Sequence, residues 1–447
     1  MYIKEPVSKP APFLNVLLHC VGDDVKSSFY NVLLAGICLA SVLNASDIFT
    51  NARQYGLGGA YSAMVQGAEA TFVNPANLYL NPKKKFSMNL LGVGAELSNN
   101  AISHNSYQRY VGDYLDDQEI EDMLRLIPAD GVQLHSNAKV QGLSIAYGPI
   151  AVGVRGFSNY SSIFARELFE LALKGNELDR IYSFKPVNGE GISAAVVGLG
   201  LGHSFYFDES VVKNIAFGVT VNYVYGLSYT QVSESDFFTQ TTSSSIEGEG
   251  TLVAEYAEGG DGYAANLATT IALFNNVRAS VVVQNAVSLM TWDRNAKNIF
   301  FHFSMNENGG QPLLDADGSI DSVFVTQDTS IAVSRFITQL PSVLRFAVTV
   351  PVRENWSVNT EYEQGFDDSA ISSTRPRLAL GAEYRPGKLF RFRVGASLGG
   401  NYENHYSGGF GITIERFCWD VAFRTYNGLS SKTSKGFGLA TSLSIRY

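Results

Sequence analysis

The sequence predicts an all-β protein, a transmembrane antiparallel β-barrel of about 14 strands. Three observations support this fold class. From Phe86 onward, short segments alternate between apolar and polar residues, with turn residues between them. An apolar run near the N-terminus is typical of an export signal. No later stretch has the roughly 20 apolar residues that a membrane-spanning helix needs.

Residues 1–45 are predicted to be a leader that contains a signal peptide. Lys26 supplies a positive flank, and residues 29–42 form an apolar run of signal-peptide length. Leu43-Asn44-Ala45 approximates the small-x-small pattern of a cleavage site. Because the apolar run is shorter than a spanning helix, we expect an exported protein whose membrane-embedded part consists of strands.

The composition argues against several function classes. The net charge of -9 disfavours a nucleic-acid partner, which needs a basic surface. The histidines are scattered, and neither an HExxH pair nor a Gly-x-Ser-x-Gly elbow is present. We therefore predict no enzyme activity, no cofactor and no metal site. The aspartates at 315–321 could converge on Ca²⁺, but Ile320 and Thr326 depart from the EF-hand pattern, so an ordinary surface turn is favoured.

The clearest strand alternation lies near the C-terminus. Between Phe390 and Leu398 every second residue is apolar, and arginine, glycine and serine fill the positions between them. Residues 437–447 repeat the pattern and end on an aromatic residue, Tyr447. Such strands suit a bilayer-spanning barrel, in which all backbone groups are paired and no sheet edge meets lipid. A soluble β-sandwich has the same alternation with its apolar face inward, but the export signal favours the barrel.

Short turns set the predicted number of strands. They fall at 148–149, 207–213, 275–276, 353–355, 386–387 and 415–417. Bacterial barrels place short turns and both termini on the periplasmic side, which gives an even number of strands. The 14 predicted strands are 86–96, 137–147, 150–158, 190–206, 214–232, 262–273, 277–289, 342–350, 355–365, 375–385, 389–399, 407–415, 418–426 and 436–447. Segments 246–256, 297–305 and 323–335 are assigned to outer extensions; if the last two belong to the wall, the count is 16.

Between Arg53 and Leu80 the sequence predicts a compact, irregular segment. It contains a glycine cluster and a turn-forming Asn-Pro-Ala-Asn tetrad. The residues of interest are Gly56, Gly58, Gly59, Tyr61, Asn74, Pro75 and Asn77. A phosphate-binding glycine loop is disfavoured, because no apolar strand precedes the cluster and Tyr61 stands where that fingerprint needs its third glycine.

The Gly-x-Gly-Gly-Ala-Tyr motif and the Asn-Pro-Ala tetrad resemble the N-terminal segment of FadL-like outer-membrane proteins, a superfamily that includes the fatty-acid channel FadL and the secretion-associated protein PorV. In that superfamily the segment forms a hatch inside the barrel. The resemblance implies a hatch over residues 46–85 and a barrel over residues 86–447. The family tetrad usually ends in glycine, where this chain has Asn77. Since asparagine also accepts a positive φ, we expect the turn to be kept.

The resemblance implies two alternative functions in the outer membrane of a Gram-negative-type bacterium. The first is a channel for passive uptake of long-chain fatty acids or other hydrophobic small molecules, with a small hatch rearrangement near residues 74–78. The second is a PorV-like partner in protein secretion or surface attachment. The expected partners are the lipid bilayer, a hydrophobic ligand and, in the second case, secreted proteins. An apolar pocket continuous with the lumen favours transport, whereas a sealed lumen under polar loops favours protein binding.

Two further groups of residues are predicted to serve the lumen. The outer insertions at 113–127 and 164–174 have helical spacing, and they form either a lid on the hatch or an apolar entry for a ligand. Four arginines are candidate ligand contacts, because a guanidinium can hold a carboxylate: Arg375, Arg377, Arg391 and Arg393. The alternative is that these arginines pair with neighbouring carboxylates and with the hatch, and so fill the lumen.

Overall fold

An antiparallel sheet that closes on itself forms the body of the protein. The computed structural model describes residues 51–80, 86–110, 115–185, 187–207, 211–243, 245–305, 324–400 and 404–446. The predicted leader at 1–45 and the Ca²⁺ alternative at 315–321 lie outside these ranges. The hatch is described over residues 51–80.

Within the described residues the sheet contains 19 strands. In chain order they are β1 (Phe86–Asn99), β2 (Val132–Tyr147), β3 (Ile150–Phe164), β4 (Ile181–Ser183), β5 (Asn188–Tyr206), β6 (Val212–Thr241), β7 (Ile246–Ala257), β8 (Gly259–Leu273), β9 (Arg278–Arg294), β10 (Lys297–Met305), β11 (Phe324–Ala332), β12 (Phe336–Thr338), β13 (Val343–Arg353), β14 (Trp356–Gly365), β15 (Arg377–Tyr384), β16 (Phe390–Gly399), β17 (Asn404–Ile414), β18 (Phe417–Tyr426) and β19 (Gly436–Arg446).

The wall of the barrel consists of 14 of these strands. β1, β2, β3, β5, β6, β8 and β9 pair in succession, β9 pairs with β13, and β13 to β19 complete the circuit. The last strand pairs with the first, from Ser87 opposite Arg446 to Ser98 opposite Gly436, which closes the barrel. The predicted 14-strand barrel is confirmed, and the alternative of 16 strands is wrong.

The other strands extend the sheet beyond one end of the wall. β6 has 30 residues, whereas about 9–11 suffice to cross a bilayer. Its second half pairs with β7, β7 pairs with β10, and β10 pairs with β11. Some wall strands also run further outward than predicted. β2 begins at Val132 rather than 137 and β3 ends at Phe164 rather than 158, because their backbone pairing continues past the last clear apolar alternation.

Side chains of the wall alternate between the lumen and the outside. In β15, Leu378 and Leu380 are 57% and 54% exposed on the outside, while Arg377 and Ala379 are 4% and 1% exposed within. An apolar outer band around a polar interior is the arrangement that a lipid bilayer requires. Among the described residues, no helix combines the length and the hydropathy needed to cross a membrane.

The two ends of the barrel differ. Short turns join the wall strands at one end, for example at 148–149 and 415–416, as predicted; this short-turn end is periplasmic in bacterial barrels. The long-loop end carries the strand extensions and three helices, α3 (His104–Tyr110), α4 (Asp117–Arg125) and α5 (Arg166–Lys174). Two further helices, α1 (Ala52–Gly56) and α2 (Ala70–Val73), precede them in the chain and belong to the hatch.

Helices α4 and α5 pack against each other over the long-loop end. An Asp116 and Glu119 capping box starts α4, and each side chain accepts a hydrogen bond from the other residue's backbone N–H. Leu124 of α4 is buried, with Phe169 of α5 packed against its cluster. The helices predicted in the two insertions are therefore present, and they bury their apolar faces in contacts with each other and with nearby loops.

Candidate functional site in the barrel lumen

The glycine cluster of the hatch lies directly against the backbone of the wall. Gly58 and Gly59 have φ values of 66° and 92°, which only glycine adopts without strain. A Cβ added to Gly395 of β16 would overlap the backbone nitrogen of Gly58. A Cβ added to Gly381 of β15 would lie 2.5 Å from the carbonyl oxygen of Leu57. Glycines on both sides thus allow hatch and wall to approach backbone to backbone.

The Asn-Pro-Ala-Asn tetrad is seated in the same way on another part of the wall. Asn74 caps the following 3₁₀ turn (Pro75–Tyr79), and its amide donates to the Ser62 carbonyl oxygen at 2.8 Å and to Thr270 Oγ1 at 3.1 Å. A Cβ on Gly202 or Gly218 would overlap the backbone of Pro75.

Position 77 differs from expectation. We expected Asn77 to use a left-handed backbone, but it lies inside the 3₁₀ turn and does not have a positive φ. Its side chain is fully buried, and its amide donates to the Ser62 carbonyl oxygen at 3.1 Å. The asparagine therefore acts through a side-chain hydrogen bond that glycine lacks.

Buried carboxylates fix the hatch to the wall. Glu361 of β14 accepts hydrogen bonds from the backbone N–H groups of Tyr61 and Ser62 at 3.0 and 2.8 Å. Glu383 of β15 accepts two hydrogen bonds from the Arg53 guanidinium, at 2.9 and 3.0 Å. A buried carboxylate is stable only when it has such partners. Removing one partner therefore lowers the stability of the folded protein.

A third carboxylate belongs to the hatch itself. Glu69 accepts a hydrogen bond from the Tyr61 hydroxyl and pairs with Arg446 of β19 at 2.6 Å. Burial alone would raise the pKa of Glu69, but the guanidinium groups of Arg446 and Arg53 outweigh burial and hold this pKa below its ordinary value. Burial and the neighbouring Glu69 carboxylate raise the pKa of the Tyr61 hydroxyl.

The four predicted ligand-contact arginines have different surroundings. Arg377 is paired with Glu363 at 3.0 Å and donates to the Gly58 carbonyl oxygen at 3.2 Å. Arg393 is paired with Glu383 and Asp420, each at 2.7 Å. Arg391 lies deeper toward the short-turn end and is 3.9 Å from the Cys418 sulfur. Arg375 is exposed at the long-loop end. Arg377 and Arg393 are thus paired with carboxylates, as in the alternative in which the arginines fill the lumen.

One arginine that the sequence did not single out stands apart. Arg155 of β3 lies over the ring of hatch residue Phe72, 4.7 Å from its centroid. In the described part of the chain no carboxylate is within ion-pair distance of Arg155, and its Nε is buried without a hydrogen-bond partner. Residue 155 falls on the inward face of a predicted strand, so its direction could have been read from the alternation. The absence of a carboxylate partner could not be read from the alternation.

Arg155 lines a small cavity of about 40 Å³. The other inward residues around it include Phe157, Asn159, Gln284, Leu340 and Ile371. A cavity of this size holds a few water molecules and is far below the roughly 300 Å³ of a typical ligand pocket. The cavity beside Arg155 is therefore too small for an acyl chain in this conformation.

The lumen has an apolar side and a charged side. An apolar cluster inside β5, β6, β8 and β9 extends from Trp292 near the long-loop end to Phe72 of the hatch. Trp292 is fully buried and stacks on Tyr229, with ring centroids 5.1 Å apart. The charged side lies instead on β13 to β19, where Arg345, Arg377 and Arg393 form ion pairs with carboxylates. A water-filled pore would have polar residues all round its interior, so the apolar side is the distinctive feature.

Comparison with known proteins identifies the architecture. A family model described as a family of unknown function (DUF5723) matches residues 75–271, and no curated protein sequence matches the chain. Two structures of the TodX monoaromatic hydrocarbon channel are similar at 13% identity over 89% of this chain. The deltaS2S3 mutant has a TM-score of 0.52 with 99% of its chain covered, and the deltaS2 mutant has 0.50 with 98% covered.

The Ralstonia pickettii toluene transporter TbuX aligns at a TM-score of 0.48 and 13% identity, with 89% of this chain and 98% of that chain covered. The likeness to TodX and the apolar outer band show that this chain has the fold of the FadL-like outer-membrane β-barrels.

Proposed function

We propose that the protein is a channel for passive uptake of hydrophobic small molecules across the outer membrane, and that its cargo includes long-chain fatty acids. The observation that carries this proposal is the apolar cluster that runs through the lumen from Trp292 to Phe72. Each methylene group that a ligand transfers from water into such surroundings contributes about 0.8 kcal/mol. An acyl chain or an aromatic hydrocarbon gains from this environment, whereas a hydrated solute does not.

Arg155 supplies the preference for a carboxylate. It lies at the hatch end of the apolar cluster, on the Phe72 ring, with no carboxylate of the described chain paired to it. A guanidinium holds a carboxylate through two parallel hydrogen bonds. A fatty acid could therefore place its head group on Arg155 while its acyl chain lies against the cluster. A plain hydrocarbon would gain only the second part of this interaction.

Passage requires the hatch to move, because the cavity beside Arg155 is only about 40 Å³. The tetrad meets the wall at the backbones of Gly202 and Gly218, and the Asn74 amide donates a hydrogen bond to Thr270 Oγ1 of β8 at 3.1 Å. A small shift of residues 74–78 would have to break this hydrogen bond, while the Arg53 and Glu361 contacts hold the rest of the hatch. The description of TodX as a monoaromatic hydrocarbon channel also supports a hydrophobic cargo.

The test is native mass spectrometry of the full-length barrel extracted from its own membrane in mild detergent. We expect a stoichiometric acyl-chain adduct that Arg155→Gln removes. Arg125→Gln is the matched control, because Arg125 is 69% exposed on α4 and far from the lumen. A barrel without adduct that retains a co-purifying secreted protein would overturn transport in favour of a PorV-like role.

Competition with a methyl ester defines the cargo further. Wild-type protein should bind palmitate about tenfold more tightly than methyl palmitate, since one charge-assisted hydrogen-bonded pair is worth roughly that factor. Arg155→Gln should abolish this preference and leave binding of the ester unchanged. Equal affinity for acid and ester in the wild type would replace the fatty-acid cargo with an uncharged hydrocarbon.

A further inference from the structure

We propose that the short-turn end of the lumen, beneath the hatch, contains an anion-binding site built by Arg278, Arg385 and Arg391, and that it takes an oxyanion, either a carboxylate or a phosphate. This site is separate from Arg155, which lies on β3 over the ring of hatch residue Phe72. It rests on the charges of the wall and holds whether or not the barrel carries a fatty acid.

The three arginines come from different wall strands that end together. Arg278 is the first residue of β9, Arg385 directly follows β15, and Arg391 is the second residue of β16. Arg391 shares the inward face of β16 with buried Arg393, and Arg278 shares the inward face of β9 with buried Ser280. Arg278 is within electrostatic range of Arg53 and Arg385, and Arg391 is within range of Arg53 and Arg446.

Positive charge exceeds negative charge in this region. The described groups comprise twice as many guanidinium groups as carboxylates: Arg53, Arg278, Arg385, Arg391, Arg393 and Arg446 against Glu69, Glu383 and Asp420. All three carboxylates already have guanidinium partners, and Arg385 itself lies 3.5 Å from Glu383. Glu383 accepts from Arg53 and Arg393, Asp420 from Arg393, and Glu69 from Arg446.

Arg278 and Arg391 are left over. In the described part of the chain, no carboxylate lies within ion-pair distance of either residue, and Nη1 of Arg278 is buried without a hydrogen-bond partner. A buried N–H donor of this kind is costly unless an acceptor pairs with it. An anion supplied from solution satisfies the donor and reduces the repulsion among the neighbouring arginines.

The site is open to the solution on one side. The side chains of Arg385 and Arg446 are 37% and 25% exposed, so water reaches the cluster from the short-turn end. Guanidinium groups suit a carboxylate or a phosphate, because the oxygens of these anions accept paired N–H donors. An uncharged ligand has no reason to prefer this place.

The test uses the full-length barrel in an uncharged detergent and measures binding of inorganic phosphate and of octanoate by titration calorimetry, with octanol as the uncharged probe. We expect octanoate or phosphate to bind and octanol not to bind at this site. Arg278→Gln should weaken the anion by about tenfold, and Arg278→Lys should restore part of the affinity. Arg353→Gln is the control, because Arg353 carries the same charge and is exposed at the end of β13, next to the turn into β14.

The arms separate the sources of the anion and the two proposals. Phosphate binding that octanoate does not displace assigns the site to a free inorganic anion; displacement by octanoate at lower concentration assigns it to a carboxylate head group. Inorganic phosphate has no acyl chain, so its binding tests this site apart from the acyl-chain site at Arg155. Loss of affinity that is equal in Arg278→Gln and Arg353→Gln, or no loss in either, would overturn the site. Unchanged heat-modifiability in gel electrophoresis would show that each variant barrel is closed.

Discussion

At the scale of single residues, the contact between hatch and wall depends on glycines, because no side chain larger than a hydrogen atom fits there. Gly395 and Gly381 of the wall meet Leu57 and Gly58 of the hatch without an intervening side chain. Overpacking such a contact typically costs about 1–3 kcal/mol. Because β16 remains paired on both edges, we expect this cost to fall on the hatch rather than on the barrel.

Gly395→Ala should therefore unseat the hatch. The expected result is faster cleavage of the hatch by an added protease, in a barrel that still resists unfolding in detergent. Gly387→Ala is the matched control, since a Cβ at that position meets nothing within 4 Å. Equal protease resistance of the two variants would contradict this role of the glycine contact.

Glu69 gives the hatch a dependence on pH. The guanidinium groups around it lower the pKa of its carboxyl below 4.5, so the folded state favours the ionised form. This stabilisation is complete above the ordinary pKa and is lost as the pH falls through the lowered one. Acidification below about pH 4 should thus raise the protease sensitivity of the hatch.

Glu69→Gln should raise that sensitivity already at pH 7 and remove the Glu69 contribution to the acid transition. The control is Glu354→Gln, because Glu354 lies on an exposed turn between β13 and β14. If Glu69→Gln and wild type have the same pH profile, the ion pair with Arg446 does not hold the hatch.

At the scale of elements, helices α4 and α5 cover the long-loop end through one small apolar cluster. Leu124→Ala should cost about 2–5 kcal/mol locally, because it leaves a cavity between the helices. We expect faster hydrogen exchange over α4 and α5 and no change in the wall. Arg125→Ala, on the exposed side of α4, should leave both unchanged. Faster exchange throughout β1 to β3 would show instead that the helices stabilise the wall.

Features that depend on neighbouring residues in the chain could be predicted from the sequence, whereas contacts between distant residues could not. The period of two in residues 390–398 shows which side chains face outward, and the short turns show how many strands there are. The pairing of β7 with β10 and the meeting of Phe72 with Arg155 join residues far apart in the chain. Local patterns do not contain such contacts. For the same reason Arg377 and Arg393 could be placed inside, but their carboxylate partners could not be assigned.

At the scale of the whole molecule, the last strand closes the barrel by pairing with β18 and β1, and we expect closure not to need the outer extension. Removal of residues 436–447 should leave β18 and β1 as open edges and prevent a compact, heat-modifiable barrel. Removal of residues 297–332 should not, because the Val333 N–H donates to the Ala296 carbonyl oxygen at 2.9 Å and the cut ends are adjacent. Loss of heat-modifiability in the second variant would show that the extension is needed for closure.

The position of the hatch has a consequence for the order of assembly. Residues 51–80 are made and exported before any wall strand, yet α1 packs on β16 to β19, which are made last. The seat of Gly58 does not exist until β15 and β16 have paired, and that of Pro75 needs β5 and β6. The hatch is thus exported first but is among the last segments to reach its final position. It must stay close to the forming barrel until the wall closes around it.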